Sequence, residues 1–135
     1  MYGSEIWPVT QKNVHTIQVA EMKMLRWMCG ITRLDKIRNE YVRGSLAVRD
    51  IAEKMQESRL RWYGHVKRKP PDYVGNLVLQ LSIPGRRGRG RPRKGWEDVV
   101  VRDMIECEVS EDDVRDRIKW RTKIGKADPT TMWDI

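Results

Sequence analysis

Residues 46–67 read LAVRDIAEKMQESRLRWYGHVK, and their spacing decides the fold class. Val48, Ile51, Met55, Ser58, Trp62 and Val66 recur every three or four positions. They fall within roughly 100° of a helix circumference, the width of a core-facing stripe. Ser45 is placed to open this helix. Pro70-Pro71 closes it, because proline lacks an N–H and disfavours helix in the residue before it. Trp62 is expected in the core. Leu60 falls on the opposite side and calls for a second contact there.

The pattern extends both ways. Thr10 is placed to cap a helix from Gln11 to Cys29, with Val14, Ile17, Met24 or Leu25, and Met28 on one face and Gly30 as its stop. A short helix fits Leu34 to Arg43, with Leu34, Ile37 and Tyr41 aligned and Gly44 closing it. Tyr73 to Leu81 is amphipathic and fits helix or strand. Pro84 to Gly95 has no apolar residue, so it is expected as an extended or disordered loop. Trp96 to Cys107 is periodic, with Trp96, Val99, Val100 and Met104 facing in. Ser110 with Asp113 makes a capping-box variant for a last helix, Glu111 to Ile124, and Ala127 to Ile135 is expected to be loose. The expected fold is all-α, a small bundle of four to five helices interrupted by an Arg/Gly-rich loop. It divides into an N-terminal helical region (residues 1–69), a linker (residues 70–95) and a C-terminal helical region (residues 96–135).

The 135 residues allow one small domain of about 100–150 residues. Apolar residues make up 39% and charged residues 34%, polar for a compact fold yet apolar enough to build a core. Six tryptophans and no phenylalanine make that core Trp-led. The longest uncharged stretch, Tyr73 to Gly85, has 13 residues and falls short of the ~20 a spanning helix needs, so no membrane partner is expected. Met1 to Glu5 lacks the basic start and apolar run of a secretory signal. With only Cys29 and Cys107, a disulfide scaffold is not expected, and the expected location is intracellular, nuclear or cytoplasmic rather than secreted.

The net charge of +8 is unevenly spread. Residues 1–58 carry nine basic and seven acidic side chains, residues 59–94 eleven and one, and residues 95–135 seven and eleven. The central block therefore holds +10 and the C-terminal region −4. Such a block points to RNA or DNA, because binding phosphates releases counterions and steers association. A solvated surface that keeps the chain soluble is the plain alternative.

Catalytic patterns do not assemble. His15, Cys29, His65 and Cys107 have no zinc-ligand spacing, and His15 and Cys29 on one helix stand about 21 Å apart. Asp112, Asp113 and Asp116 sit where acids complement a helix dipole. No glycine-rich nucleotide loop is present. No cofactor, metal or enzyme activity is expected of this chain.

The basic block offers two binding motifs. Arg59, Tyr63 and Lys67 recur at four-residue spacing as a basic–aromatic ridge, with Arg61, Arg68 and Lys69 beside them. Such a ridge holds a backbone by charge while Tyr63 stacks on a base. The alternative is a snorkelling face beside the core. Arg86, Arg87, Arg89, Gly90, Arg91, Pro92, Arg93 and Lys94 form the second motif. Its Arg89-Gly90-Arg91-Pro92 centre resembles an AT-hook, in which glycine allows close approach to a groove floor and arginines enter a narrow A·T minor groove. A plain solvated linker is again the alternative.

Taken in order, several segments resemble the carboxy-terminal region of the endonuclease/reverse transcriptase polyprotein of non-LTR (LINE-type) retrotransposons. Tyr2 to Trp7 is similar to that family's YGSExW. Leu25-Arg26-Trp27, Gly30-Ile31-Thr32 and Ile37 to Glu40 follow. Arg59 to Val66 matches its RLRWxGHV, Arg89 to Trp96 its RGRPRxxW, and Asp116 to Arg121 its DRxxWR. Gly95 departs from the basic residue usual before the tryptophan. The resemblance implies kinship with an RNA-directed DNA polymerase, but that family's catalytic Asp-Asp box and endonuclease are not in this sequence. No catalytic residue carries over. The expectation is a fragment holding RNA or target DNA, with the rest of a reverse transcriptase as a possible partner. The alternatives are a decayed copy without activity and a domesticated AT-hook-like DNA-binding protein. Oligomeric state is left open.

Overall fold

Thr10 Oγ1 accepts from the Asn13 N–H at 3.3 Å and opens α1, Gln11–Met28, as its sequence suggests. This computed structural model describes residues 3–82, 84–85, 88–92 and 94–126. Its helices are α1, α2 (Asn39–Leu46), α3 (Ile51–Lys67), α4 (Val74–Gln80), α5 (Trp96–Glu106) and α6 (Arg117–Ile124), and the described residues contain no strand. The fold is all-α. No helix among them is long and apolar enough to cross a membrane. The chain forms two compact units, one built on Val9–Glu57 and the other on Ser58–Gly125 with the residues before Val9. That division differs from the composition boundaries at 69/70 and 95/96, because α3 contributes its first residues to one unit and the rest to the other.

In the first unit, Met22, Leu25 and Val42 form the core, flanked by Cys29, Ile37, Leu46 and Val48. The choice between Met24 and Leu25 therefore falls to Leu25, while Met24 and Met28 face outward. The second helix starts later than the pattern suggested. Residues Arg33–Asp35 make a single 3-10 turn, in which the Asp35 carboxylate accepts from the Thr32 N–H and hydroxyl. Leu34 and Tyr41 are exposed. Gly44 does not stop α2. Val42 and Leu46, one turn apart, both reach the core, so packing carries the helix on to Ala47, whose φ of 51° ends it. The start of α3 moves correspondingly from Ser45 to Asp50. The Asp50 carboxylate accepts from the Ala52 N–H at 2.9 Å and from the Gln18 amide at 3.0 and 2.9 Å.

The second unit packs Leu60, Tyr63, Val100, Met104, Val109, Val114, Trp120 and Ile124 together. Met55 and Val66 are buried as expected, but Trp62 is only half-buried, and Leu60 on the opposite side is wholly buried. The second contact asked for by Leu60 is thus the main one on this stretch of α3. The stretch from Tyr73 to Leu81 resolves as helix over Val74–Gln80, with Tyr73 and Leu81 extended at its two ends. The Ser110–Asp113 capping box forms, but it opens only a 3-10 turn, Glu111–Arg115. Asp116 then caps α6 afresh through the Ile118 and Lys119 N–H groups. One continuous helix would point Val114 roughly 120° away from Trp120. The break lets both enter the core.

Trp120 decides one residue of α3. Its Nε1–H donates to the Leu60 carbonyl at 3.0 Å, and a Cβ on Gly64 would stand 2.4 Å from that nitrogen. Alanine in place of a mid-helix glycine usually stabilises by about 1 kcal/mol. Here the sign reverses, because overpacking costs about 1–3 kcal/mol. Gly64→Ala is expected to lower the chemical-denaturation midpoint, whereas a raised midpoint would show that the indole does not press on this turn.

Candidate nucleic-acid interface

The expected ridge of Arg59, Tyr63 and Lys67 is not a solvent face. Arg59 is 4% exposed, and its Nε meets the Asp103 carboxylate at 2.7 Å. Tyr63 is buried between Trp96 and Trp120, with ring centroids 6.4 and 6.3 Å away. Its hydroxyl donates to Glu111 at 2.7 Å. Burial, then that bond and the charges of Glu111 and Glu97, push its ionisation well above the ordinary tyrosine range. Neither side chain is free to meet a ligand. The physical reason is the position of Leu60: once its side of α3 is covered by α5 and α6, Arg59 and Tyr63 go inside with it. Lys67 stays exposed, 5.5 Å above the Tyr63 ring and 3.8 Å from Glu111.

The other side of α3 carries the site. Arg61, His65, Arg68 and Lys69 lie at i, i+4, i+7 and i+8 and line one wall of a groove of about 950 Å³. Arg117 and Arg121, one turn apart on α6, line it too, with Trp62 and Trp120 between the charged walls. Glu5 is the one acidic side chain among its lining residues. Trp62 stacks on His65, centroids 5.6 Å apart and planes at 21°. Arg68 is pinned by donating to the Val114 carbonyl at 3.0 Å. Burial, then the like charge of Arg117, push its ionisation below the ordinary arginine value, though a guanidinium stays charged throughout the working range. Among the described residues, neither Arg117 nor Arg121 makes an ion pair with a carboxylate. Two crowded guanidiniums gain most from an anion that bridges them.

Of the residues singled out from sequence, Arg61, Arg68 and Lys69 therefore come together. Arg89, Gly90, Arg91, Pro92 and Lys94 are all exposed and non-helical, and do not line this groove. Gly90 has φ of 141°, a conformation L side chains rarely adopt, so the Arg-Gly-Arg turn uses its glycine. Arg86, Arg87 and Arg93 lie outside the described residues. Sequence reasoning missed Arg117, Arg121, His65 and the exposed edge of Trp62. The first two had a signal in the paired arginines flanking Trp120, hidden by the net negative charge of their segment.

The described residues hold no group of three or more His, Cys, Asp or Glu side chains suited to a metal ion. Cys29 and Cys107 form no disulfide, and each packs beside a core cluster. Searches with this chain match no protein family, no curated protein and no solved structure.

Proposed function

We propose that this chain is a nucleic-acid-binding module, similar to the C-terminal region of a non-LTR retrotransposon reverse transcriptase and without catalytic residues of its own. The observation that carries the reading is the groove beside α3. Five lysine and arginine side chains and a histidine line it, from α3 and the two residues that follow it and from α6, against a single carboxylate and beside the partly exposed Trp62. Charge of that kind grips a phosphodiester backbone, and the partly exposed edge of Trp62 among the cations suits an unstacked base. A concave groove fits a single strand, while the Arg89-Gly90-Arg91-Pro92 turn has the chemistry for a duplex minor groove. In a parent polymerase the pair would hold template RNA and target DNA near the reaction. The retrotransposon kinship rests on the quoted sequence segments.

The test compares two double variants by fluorescence anisotropy across a salt series. Arg117→Ala with Arg121→Ala is expected to weaken single-strand binding and flatten its log–log salt slope by about 1.4, two contacts at about 0.7 each. Arg89→Ala with Arg91→Ala is expected to flatten the slope on A·T-rich duplex by about 1.8. Unchanged slopes in both would sink the reading and favour a decayed copy without activity. Loss confined to A·T-rich duplex and to the loop variant would favour an AT-hook regulator.

A further inference from the structure

The first unit holds a second basic cleft, in a stretch of the sequence whose net charge is only +2. It measures about 520 Å³, and Lys23, Arg26, Arg33, Lys36, Arg43 and His15 line it with no acidic side chain among the lining residues. The acids nearby are engaged elsewhere. Glu21 pairs with Arg43 at 2.9 Å, Asp35 closes the Thr32 turn, and Asp50 caps α3 while bonding Gln18 and standing 3.6 Å from Arg43. Glu40, in the first turn of α2, does not line the cleft. What remains unneutralised is the cationic wall of Lys23, Arg33 and Lys36, all exposed and, among the described residues, without an ion pair.

The backbone that carries Arg33 and Lys36 is fixed in place. Arg26 donates from α1 to the Thr32 and Ile37 carbonyls and to Asn39 Oδ1, tying both ends of the 32–39 segment to the helix. Within it the Thr32–Asp35 box fixes the turn that carries Arg33. Lys36 has φ of 52°, a left-handed conformation that a lysine adopts only when its surroundings impose it. With this backbone fixed, only the exposed side chains remain to be ordered when an anion meets them, above apolar lining from Met22 and Ile37.

We infer that this cleft is a second phosphodiester-binding site, gripping a nucleic-acid backbone independently of the groove beside α3. The inference rests on the reading of the chain as a nucleic-acid binder and adds a site outside the basic block.

The test uses the full chain and a fluorescent 12-nucleotide single strand, as RNA and as DNA, across a salt series. A quadruple variant (Arg89→Ala, Arg91→Ala, Arg117→Ala, Arg121→Ala) removes two charges from the groove and two from the loop, so that what the cleft changes then abolish is the part of the remaining binding that belongs to the cleft. Arg33→Ala with Lys36→Gly is then added, glycine relieving the left-handed backbone so that the fold is kept, with circular dichroism as the check. The quadruple variant is expected to retain weak, salt-dependent binding. The two further changes should lower it at least about tenfold and flatten its slope by about 1.4. A quadruple variant that binds nothing overturns the cleft and leaves the groove reading standing. One that binds as tightly as the parent, and fails only after the cleft changes, supports the cleft and overturns the groove. A parent chain that binds neither strand overturns both.

Discussion

Trp120→Ala is expected to destabilise the second unit by about 3–5 kcal/mol, the range for emptying a large aromatic from a closed core. Trp120 is wholly buried in the core of that unit. Its ring packs 6.3 Å from Tyr63, its N–H satisfies the Leu60 carbonyl, and Gly64 lacks a side chain where the indole lies. Alanine leaves a cavity and an empty slot against α3. A loss this large takes up much of a small domain's stability of about 5–15 kcal/mol. Thermal or urea unfolding checks it, and a change below about 1 kcal/mol would place the core elsewhere.

Asp103→Ala is expected to cost about 3–5 kcal/mol for a different reason. The Arg59 and Asp103 side chains are 5% and 2% exposed, so removing the carboxylate strands a guanidinium away from water. Arg59 Nη1 is already buried without a hydrogen-bond partner among the described residues. One N–H group of the pair is thus taken out of water without a hydrogen bond in return. That makes the double replacement informative: Arg59→Met with Asp103→Leu is expected to recover most of the loss, because an apolar pair of similar volume carries no stranded charge. A double variant as unstable as Asp103→Ala would mean that shape rather than charge sets the cost.

The all-α class, the Thr10 cap, the span of α1 and the inward face of α5 were legible because local signals and burial agree there. Val99, Val100 and Met104 lie on one stripe and all three are buried, as their spacing asks, although the stripe does not predict that Asp103 is buried too or that Val101 and Ile105 are exposed. The end of α2 and the split before α6 were not. In both places the core asks for a geometry that local signals do not encode, with Val42 and Leu46 extending one helix past Gly44 and Val114 with Trp120 breaking another at Asp116.

The site was half legible for a related reason. α3 has apolar residues on two sides, so periodicity alone does not say which side is covered, and the flanking ridge followed the wrong choice. Arg59 and Tyr63 went inside, and the face bearing Arg61, His65, Arg68 and Lys69 became the groove wall. Summing charge by segment located the +10 block but cancelled Arg117 and Arg121 against neighbouring acids. It likewise hid Lys23, Arg33 and Lys36 beneath a net of +2. Several of those acids are tied to caps and ion pairs. Asp113 pairs with Lys119 and accepts from Lys123 at 2.8 Å, which hold its carboxyl well below the usual carboxylate range. Sequence counts see formal charge, whereas a ligand meets the charge left after such pairing.

The most direct measurement is the affinity of the unmodified chain for a 12-nucleotide single strand, by anisotropy, across a salt series. Groove binding through at least four backbone phosphates gives a log–log slope steeper than about −2.8. A slope near zero, or no saturable binding at moderate salt, would contradict a nucleic-acid role for these basic surfaces.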